Sequence, residues 1–167
     1  LIREIILSNF GVYTGPETIR PCSSPDANRP VTLIGGINGA GKTTILEAVL
    51  LALYGKNSPA ARESKQPYAT YIESYMHTGI RSEAWIELLL EVPVNGHSID
   101  LRIRRQWLHK KNKWQEDLRV TRNNVPDLFL ANNWSYYVED LIPSGLAGLF
   151  FFDGEKIIDM AEEDTDE

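Results

Sequence analysis

No stretch constrains the fold of this chain more than Pro30-Val31-Thr32-Leu33-Ile34-Gly35-Gly36-Ile37-Asn38-Gly39-Ala40-Gly41-Lys42-Thr43-Thr44. A short apolar, β-branched run leads into a glycine-rich turn and then into a helical pattern, so it reads as strand, turn and helix. Gly36, Gly41, Lys42 and Thr43 meet the spacing G-x-x-x-x-G-K-[ST] of a phosphate-binding loop. The residue types follow from the chemistry. A polyphosphate needs convergent backbone N–H donors, and glycines let the chain wrap closely around it. A helix starting near Lys42 adds the positive end of its dipole. Gly36, Asn38, Gly39, Ala40, Gly41, Lys42, Thr43 and Thr44 are therefore the expected ATP-binding residues. Lys42 is expected on the β- and γ-phosphates and the Thr43 hydroxyl on Mg²⁺. The context agrees: Ile45, Leu46, Val49 and Leu53 recur at helical spacing, and Gly55 stands where a helix would end.

The remaining pattern predicts a single domain. The chain has 167 residues, 43% hydrophobic and 24% charged, enough for one ordinary core. A formal net charge of −6 argues against a polycation built to coat nucleic acid, leaving room for a local basic patch. Cys22 is the lone cysteine, which excludes an internal disulfide and fits a reducing cytoplasm. No apolar run approaches the length of a bilayer span, so no membrane role is expected. Residues 2–9 alternate as a first strand, a turn covers 9–16, and 17–20 form a short second strand. Residues 56–67 read as a loop and 68–77 as a short helix. From Ser82 the period changes to two. Strands are predicted over 84–92 and 98–107, joined at Asn95-Gly96, with a third over 117–121, giving an antiparallel meander. A helix is expected over 134–141, a buried strand over 148–152, and a further helix from Lys156 to Glu163. The acidic end after an amphipathic start reads as a truncation.

Several of these stretches carry a family resemblance. Asn9-Phe10 after the first strand, the loop 36–44, Leu46-Glu47-Ala48 and Leu53-Tyr54-Gly55 together resemble the SMC-like ATPases, in which a coiled coil splits an ABC-type head. The similarity continues through Trp85-Ile86-Glu87-Leu88, Ile103-Arg104-Arg105 and Val138-Glu139-Asp140-Leu141-Ile142-Pro143. Within that group, Phe150-Phe151-Phe152-Asp153-Gly154-Glu155-Lys156-Ile157 is similar to the DndD-type ATPases of bacterial DNA phosphorothioate (sulfur) modification. The fold class implied is α/β, locally α+β: a P-loop NTPase, the N-terminal lobe of an ABC/SMC-type head bearing an antiparallel meander. Residues 1–156 would be that lobe and 157–167 the start of a coiled-coil helix. The resemblance further implies a homodimer with ATP sandwiched between heads, and the C-terminal lobe of the same protein as a partner. Duplex DNA and other components of the sulfur-modification system are implied as well. No apolar run ending in Asp-Glu and no Ser-Gly-Gly signature occurs here, so the Walker B, signature and switch residues would lie on the C-terminal lobe. Alone, this lobe is expected to bind nucleotide weakly and to hydrolyse it very slowly at best.

Asp153 stands where SMC-like heads carry a glutamine that senses Mg²⁺ and the attacking water. An aspartate there either contacts the metal or its water, in a catalytic and metal-binding role, or caps the next helix. Gly11-Val12 stand where repair-type relatives carry an arginine–serine pair. Contact with nucleotide from this turn would then come from backbone N–H groups or from Tyr13, or else Phe10 and Tyr13 are plain core or turn aromatics. Arg105, Lys110, Lys111 and Lys113 lie in a basic span with Trp107 and Trp114. That span is either a DNA-phosphate-binding face or a solvated hairpin, with the loop lysines the better candidates. Arg62 and Lys65 could reach phosphate across a dimer. His77, His97 and His109 have no metal-ligand spacing and read as surface residues. Three other identities compete: an SMC-like repair or recombination ATPase, an ABC transporter nucleotide-binding domain, and a nucleic-acid module with a merely structural phosphate loop.

Overall fold

A computed structural model describes residues 1–21, 31–77, 79, 82–111 and 113–151. Six strands form one antiparallel sheet in the order β2-β1-β3-β4-β5-β6. They are β1 (Ile2–Ser8), β2 (Glu17–Ile19), β3 (Glu83–Val94), β4 (His97–Lys110), β5 (Lys113–Arg122) and β6 (Val125–Pro126). Alternation explains the register. Ala84, Ile86, Leu88, Leu90 and Val92 of β3 are buried, while Trp85, Glu87, Leu89 and Glu91 between them are only half-buried. The β3–β4 hairpin turns on Asn95 (φ 50°) and Gly96 (φ 81°), the backbone that an Asn-Gly pair supports. On the less buried face Arg102 and Arg104 flank Glu87 across the strands, and the Arg104 guanidinium lies 3.8 Å from the Trp85 ring centroid.

Helix α1 (Lys42–Tyr54) packs on β3 and β4 and is the centre of the core. It is buried nearly all round, from Ile45 to Tyr54, because α5 (Trp134–Leu141) covers its other side. Its C-terminal end is held by named donors. Trp134 Nε1 donates to the Leu53 carbonyl at 2.7 Å, and Arg105 Nε donates to the Ala52 carbonyl at 3.3 Å. These bonds occupy carbonyls that a helix end leaves without intrahelical partners.

The predicted strand 2–9, the short strand at 17–20, the meander and the helix over 134–141 are all present, with strand ends shifted by a few residues. The helix expected over 68–77 is α3 (Tyr68–Tyr75), with Tyr71 and Ile72 inward. Three expectations fail. Residues 56–67 are not a plain loop: a 3₁₀ turn (Gly55–Asn57) leads into α2 (Pro59–Glu63), started by the proline at its first position. Residues 31–36 carry no regular secondary structure and pair with none of the described strands, leaving Val31 77% and Leu33 92% exposed. The run Val31-Thr32-Leu33-Ile34 is apolar enough to suit a strand covered on both faces, and no described strand pairs with it. The strand expected over 148–152 is instead α6 (Ala147–Phe150) where it is described, with Leu149 and Phe150 exposed. Nor was there a sign in the sequence of β6 or of α4 (Leu128–Asn132), which Asp127 caps by accepting from the Leu130 N–H at 2.8 Å. Asp153, Glu155, Cys22 and the helix expected from Lys156 lie outside the described residues.

Candidate nucleotide site

The phosphate loop is built by backbone, as its glycines require. Ala40 N–H closes a tight turn onto the Ile37 carbonyl at 3.1 Å. Gly39 (φ 81°) and Gly41 (φ 94°) sit in the left-handed region, and Gly41 passes the chain directly into α1 with no side-chain cap. The first-turn amides of α1 therefore point into the loop at the positive end of the helix dipole. Lys42 folds back so that its Nζ donates to the Gly36 carbonyl at 2.9 Å and the Ile37 carbonyl at 3.3 Å. The ammonium thus sits inside the turn, where an anionic ligand would compete for it. Thr43 is exposed at the helix start and Thr44 is half-buried beside it.

A second segment closes over this loop. The turn 9–13 carries Asn9 and Gly11 at positive φ and is pinned by the Phe10–Tyr13 backbone pair. Gly11 packs on α1 so closely that a β-carbon there would collide with Thr44 Cγ2. A β-carbon on Gly41 would lie 2.7 Å from Val12 Cγ2 and 2.9 Å from the Tyr13 hydroxyl. Tyr13 is therefore against the phosphate loop, half-buried, and burial followed by the nearby Glu17 raises its phenol above the usual range. Phe10, left open between site and core, is fully buried core and stacks on Tyr75 with centroids 5.3 Å apart.

From α3 a chain of contacts returns to α1. Tyr75 packs on Tyr71 at 5.2 Å, and the Tyr71 hydroxyl donates to Oε2 of the buried Glu47 at 3.0 Å. Burial is the main reason the Tyr71 phenol is pushed far above its ordinary range, so it is a proton donor at every physiological pH. The end of α3 also holds the turn directly. Gly11 N–H donates to the Tyr75 carbonyl, His77 N–H donates to the Asn9 carbonyl at 3.0 Å, and His77 Nδ1 lies 2.8 Å from the Gly11 carbonyl. His77 is consequently not a plain surface residue, and its role was invisible in the sequence because its partner is 66 positions away.

The remaining candidates separate. Lys110, Lys111 and Lys113 are exposed at the tip of the β4–β5 hairpin, beside the His109 and Trp114 rings, which pack against each other at a tilt. Arg105 is not with them. It is 6% exposed, points to the α1 side of the sheet and is paired with Glu116, which also accepts from Trp107 Nε1 at 3.1 Å. Strand alternation puts it opposite Arg102 and Arg104, and the core side has no room for a DNA phosphate. Arg62 and Lys65 are both exposed, in and just after α2. Among the described residues no group of three or more His, Cys, Asp or Glu could hold a metal by itself. No helix there is long and apolar enough to cross a membrane.

Residues 4–146 match the family described as AAA domain. The chain is 40% identical to the SbcC component of the SbcCD nuclease of Vibrio cholerae over 68 residues, covering 41% of this chain and 6% of that protein. It is 30% identical to the DNA double-strand break repair Rad50 ATPase of Nanoarchaeum equitans over 112 residues, covering 67% of this chain and 11% of that protein. The chain thus spans only a small fraction of the length of these relatives.

Proposed function

The chain belongs to the AAA domain family, within the SMC-like ABC ATPases, and on that premise we propose that it is the ATP-binding N-terminal lobe of a DNA-acting ATPase head. The observation that carries this reading is the Lys42 ammonium held on the Gly36 and Ile37 carbonyls inside a turn built on left-handed glycines. A triphosphate would take those donors, with amides from Asn38 to Thr44 cradling it and Tyr13 at its side. Thr43 would hold Mg²⁺, which supplies charge neutralisation at the bridging phosphate oxygens. Lys42 would offset charge on the γ-phosphate as water attacks in line. The base for that water, the Walker B carboxylates and the signature would come from the C-terminal lobe and from a second head. Asp153 would assist at the metal.

The exposed apolar residues Val31, Leu33, Leu149 and Phe150 support the need for that lobe. Duplex DNA as partner rests on the hairpin lysines and on the relatives, whose names place them in nuclease and double-strand break repair work. The finer assignment to sulfur modification rests on the Phe150–Ile157 resemblance, and the relatives favour repair as the second reading. A cytoplasmic location follows from either.

Two measurements test this. Lys42→Ala should lower Mg–ATP affinity by about ten- to a hundredfold, the worth of charge-assisted hydrogen bonds to phosphate. Unchanged affinity would mean that the loop is only structural. In the source cells the same substitution should abolish iodine-cleavable phosphorothioate linkages in DNA if the sulfur reading holds. Retained linkages with new sensitivity to strand breaks would favour repair.

A further inference from the structure

Gly11 lies so close to α1 that no side chain of its own can hold it there. A β-carbon would meet Thr44 Cγ2, and φ 57° is a left-handed backbone that glycine both adopts and leaves easily. Its place is therefore fixed through its two peptide groups. The N–H donates to the Tyr75 carbonyl at the end of α3, and the carbonyl oxygen lies 2.8 Å from Nδ1 of the His77 ring. A carbonyl only accepts, so Nδ1 carries the proton of this bond. The same carbonyl belongs to the planar peptide that joins Gly11 to Val12. The ring thus sets the plane from which Val12, and then Tyr13, reach Gly41 of the phosphate loop. Gly41 itself has φ 94° and opens α1 without a side-chain cap.

We propose that His77 is a positioning residue for phosphate binding: its ring holds the turn 9–13 against Gly41 and so keeps the phosphate loop in its receiving conformation. The inference rests on the nucleotide reading of the loop and adds a brace from outside it. His77 acts through Val12 and Tyr13, the side chains that lie against Gly41. Gly39 and Gly41 are both left-handed glycines, so the unbraced loop has much backbone freedom to lose when a polyphosphate orders it. A brace that removes part of that freedom beforehand strengthens binding. The effect belongs to the phosphates, so ligands with and without a nucleoside should respond alike.

The test measures Mg–ATP and Mg–tripolyphosphate by calorimetry on the whole 167-residue chain, with a urea midpoint for each variant. His77→Ala should weaken both ligands about tenfold, the order of one residue's backbone freedom. His77→Asn places an amide donor near the position of Nδ1 and should return both to within about twofold of the unmodified chain. His77→Gln carries its amide one carbon farther and should bind as weakly as the alanine variant, while keeping the bulk should the latter not fold. In a chain already carrying Val12→Gly and Tyr13→Ala the brace is gone. There His77→Ala should leave ligand affinity unchanged while still lowering the urea midpoint. Unchanged affinity in both His77→Ala and His77→Gln would overturn the proposal, as would an asparagine variant no better than alanine. An equal loss with and without the Val12 and Tyr13 side chains would show a general loosening instead, and would overturn it too. If the unmodified chain binds and the variants match it, the positioning role falls alone. If the unmodified chain binds neither ligand, the nucleotide reading falls and takes this role with it.

Discussion

Gly55 and Tyr54 show how single positions hold the helix that carries the site. Gly55 has φ 55°, and a β-carbon there would lie 2.6 Å from Arg105 Nη1 and 2.8 Å from its Cζ. Gly55→Ala therefore combines backbone strain with displacement of a buried guanidinium from the helix end. A loss of about 2–3 kcal/mol is expected, read as a shifted urea midpoint at constant slope. Tyr54 donates its hydroxyl to the Ile142 carbonyl at 2.8 Å. Burial, followed by the charge of Glu139, pushes its phenol up to about 12. A raised folded pKa gives stability that is whole below the unfolded value near 10 and lost as pH climbs through the folded one. Thermal midpoints should thus fall between pH 10 and 12, and less steeply in Tyr54→Phe. Tyr68 and Tyr71, raised in the same direction by burial, would account for the slope that remains. The glycine turn that leads into α1 was legible in the sequence because that spacing fixes a local backbone path. Arg105 was not, since a strand's face is settled only when its register against β3 and β5 is known.

At the level of elements, the β4–β5 hairpin has two parts with different tasks. Its middle is tied to α1 through Arg105, with Glu116 and Trp107 bracing that arginine, and its tip presents Lys110, Lys111 and Lys113 to solvent. Replacing the three lysines with glutamine should weaken duplex binding and lower the slope of log affinity against log salt by about 2–3. ATP affinity should not change, because the hairpin meets α1 at Ala52, at the opposite end of the helix from the phosphate loop. An unchanged salt slope would make the hairpin a solvated one. Period-two alternation predicted β3 and β4 well, since one face of each is buried and the other is not. The 3₁₀ turn, α2 and α4 were missed. Each is only 3 or 5 residues long, too short for any hydrophobic period to repeat.

Across the molecule, two apolar stretches that read as strands find no partner strand among the described residues. Val31 to Ile34 runs exposed and without regular structure into the phosphate loop, and Leu149-Phe150 lie exposed at the far end of the described chain. Hydrogen exchange offers a direct check. Amides of Thr32, Leu33 and Ile34 should exchange within the dead time in this chain and become protected when the proposed C-terminal lobe is supplied. Persistent exchange in the reassembled head would contradict strand formation there. For the phosphate loop, the alternating strands and the long helix α1, the order of residues was enough. Each is written in close neighbours, as a fixed spacing or a short period. What lies over the loop was settled only by folding: the Gly11–Tyr13 turn, pinned by His77 and buckled through Tyr71 to Glu47. Those partners are 24 to 66 positions apart, and the free energy that joins them comes from burial and hydrogen bonds that exist only once the sheet has brought α1 and α3 together.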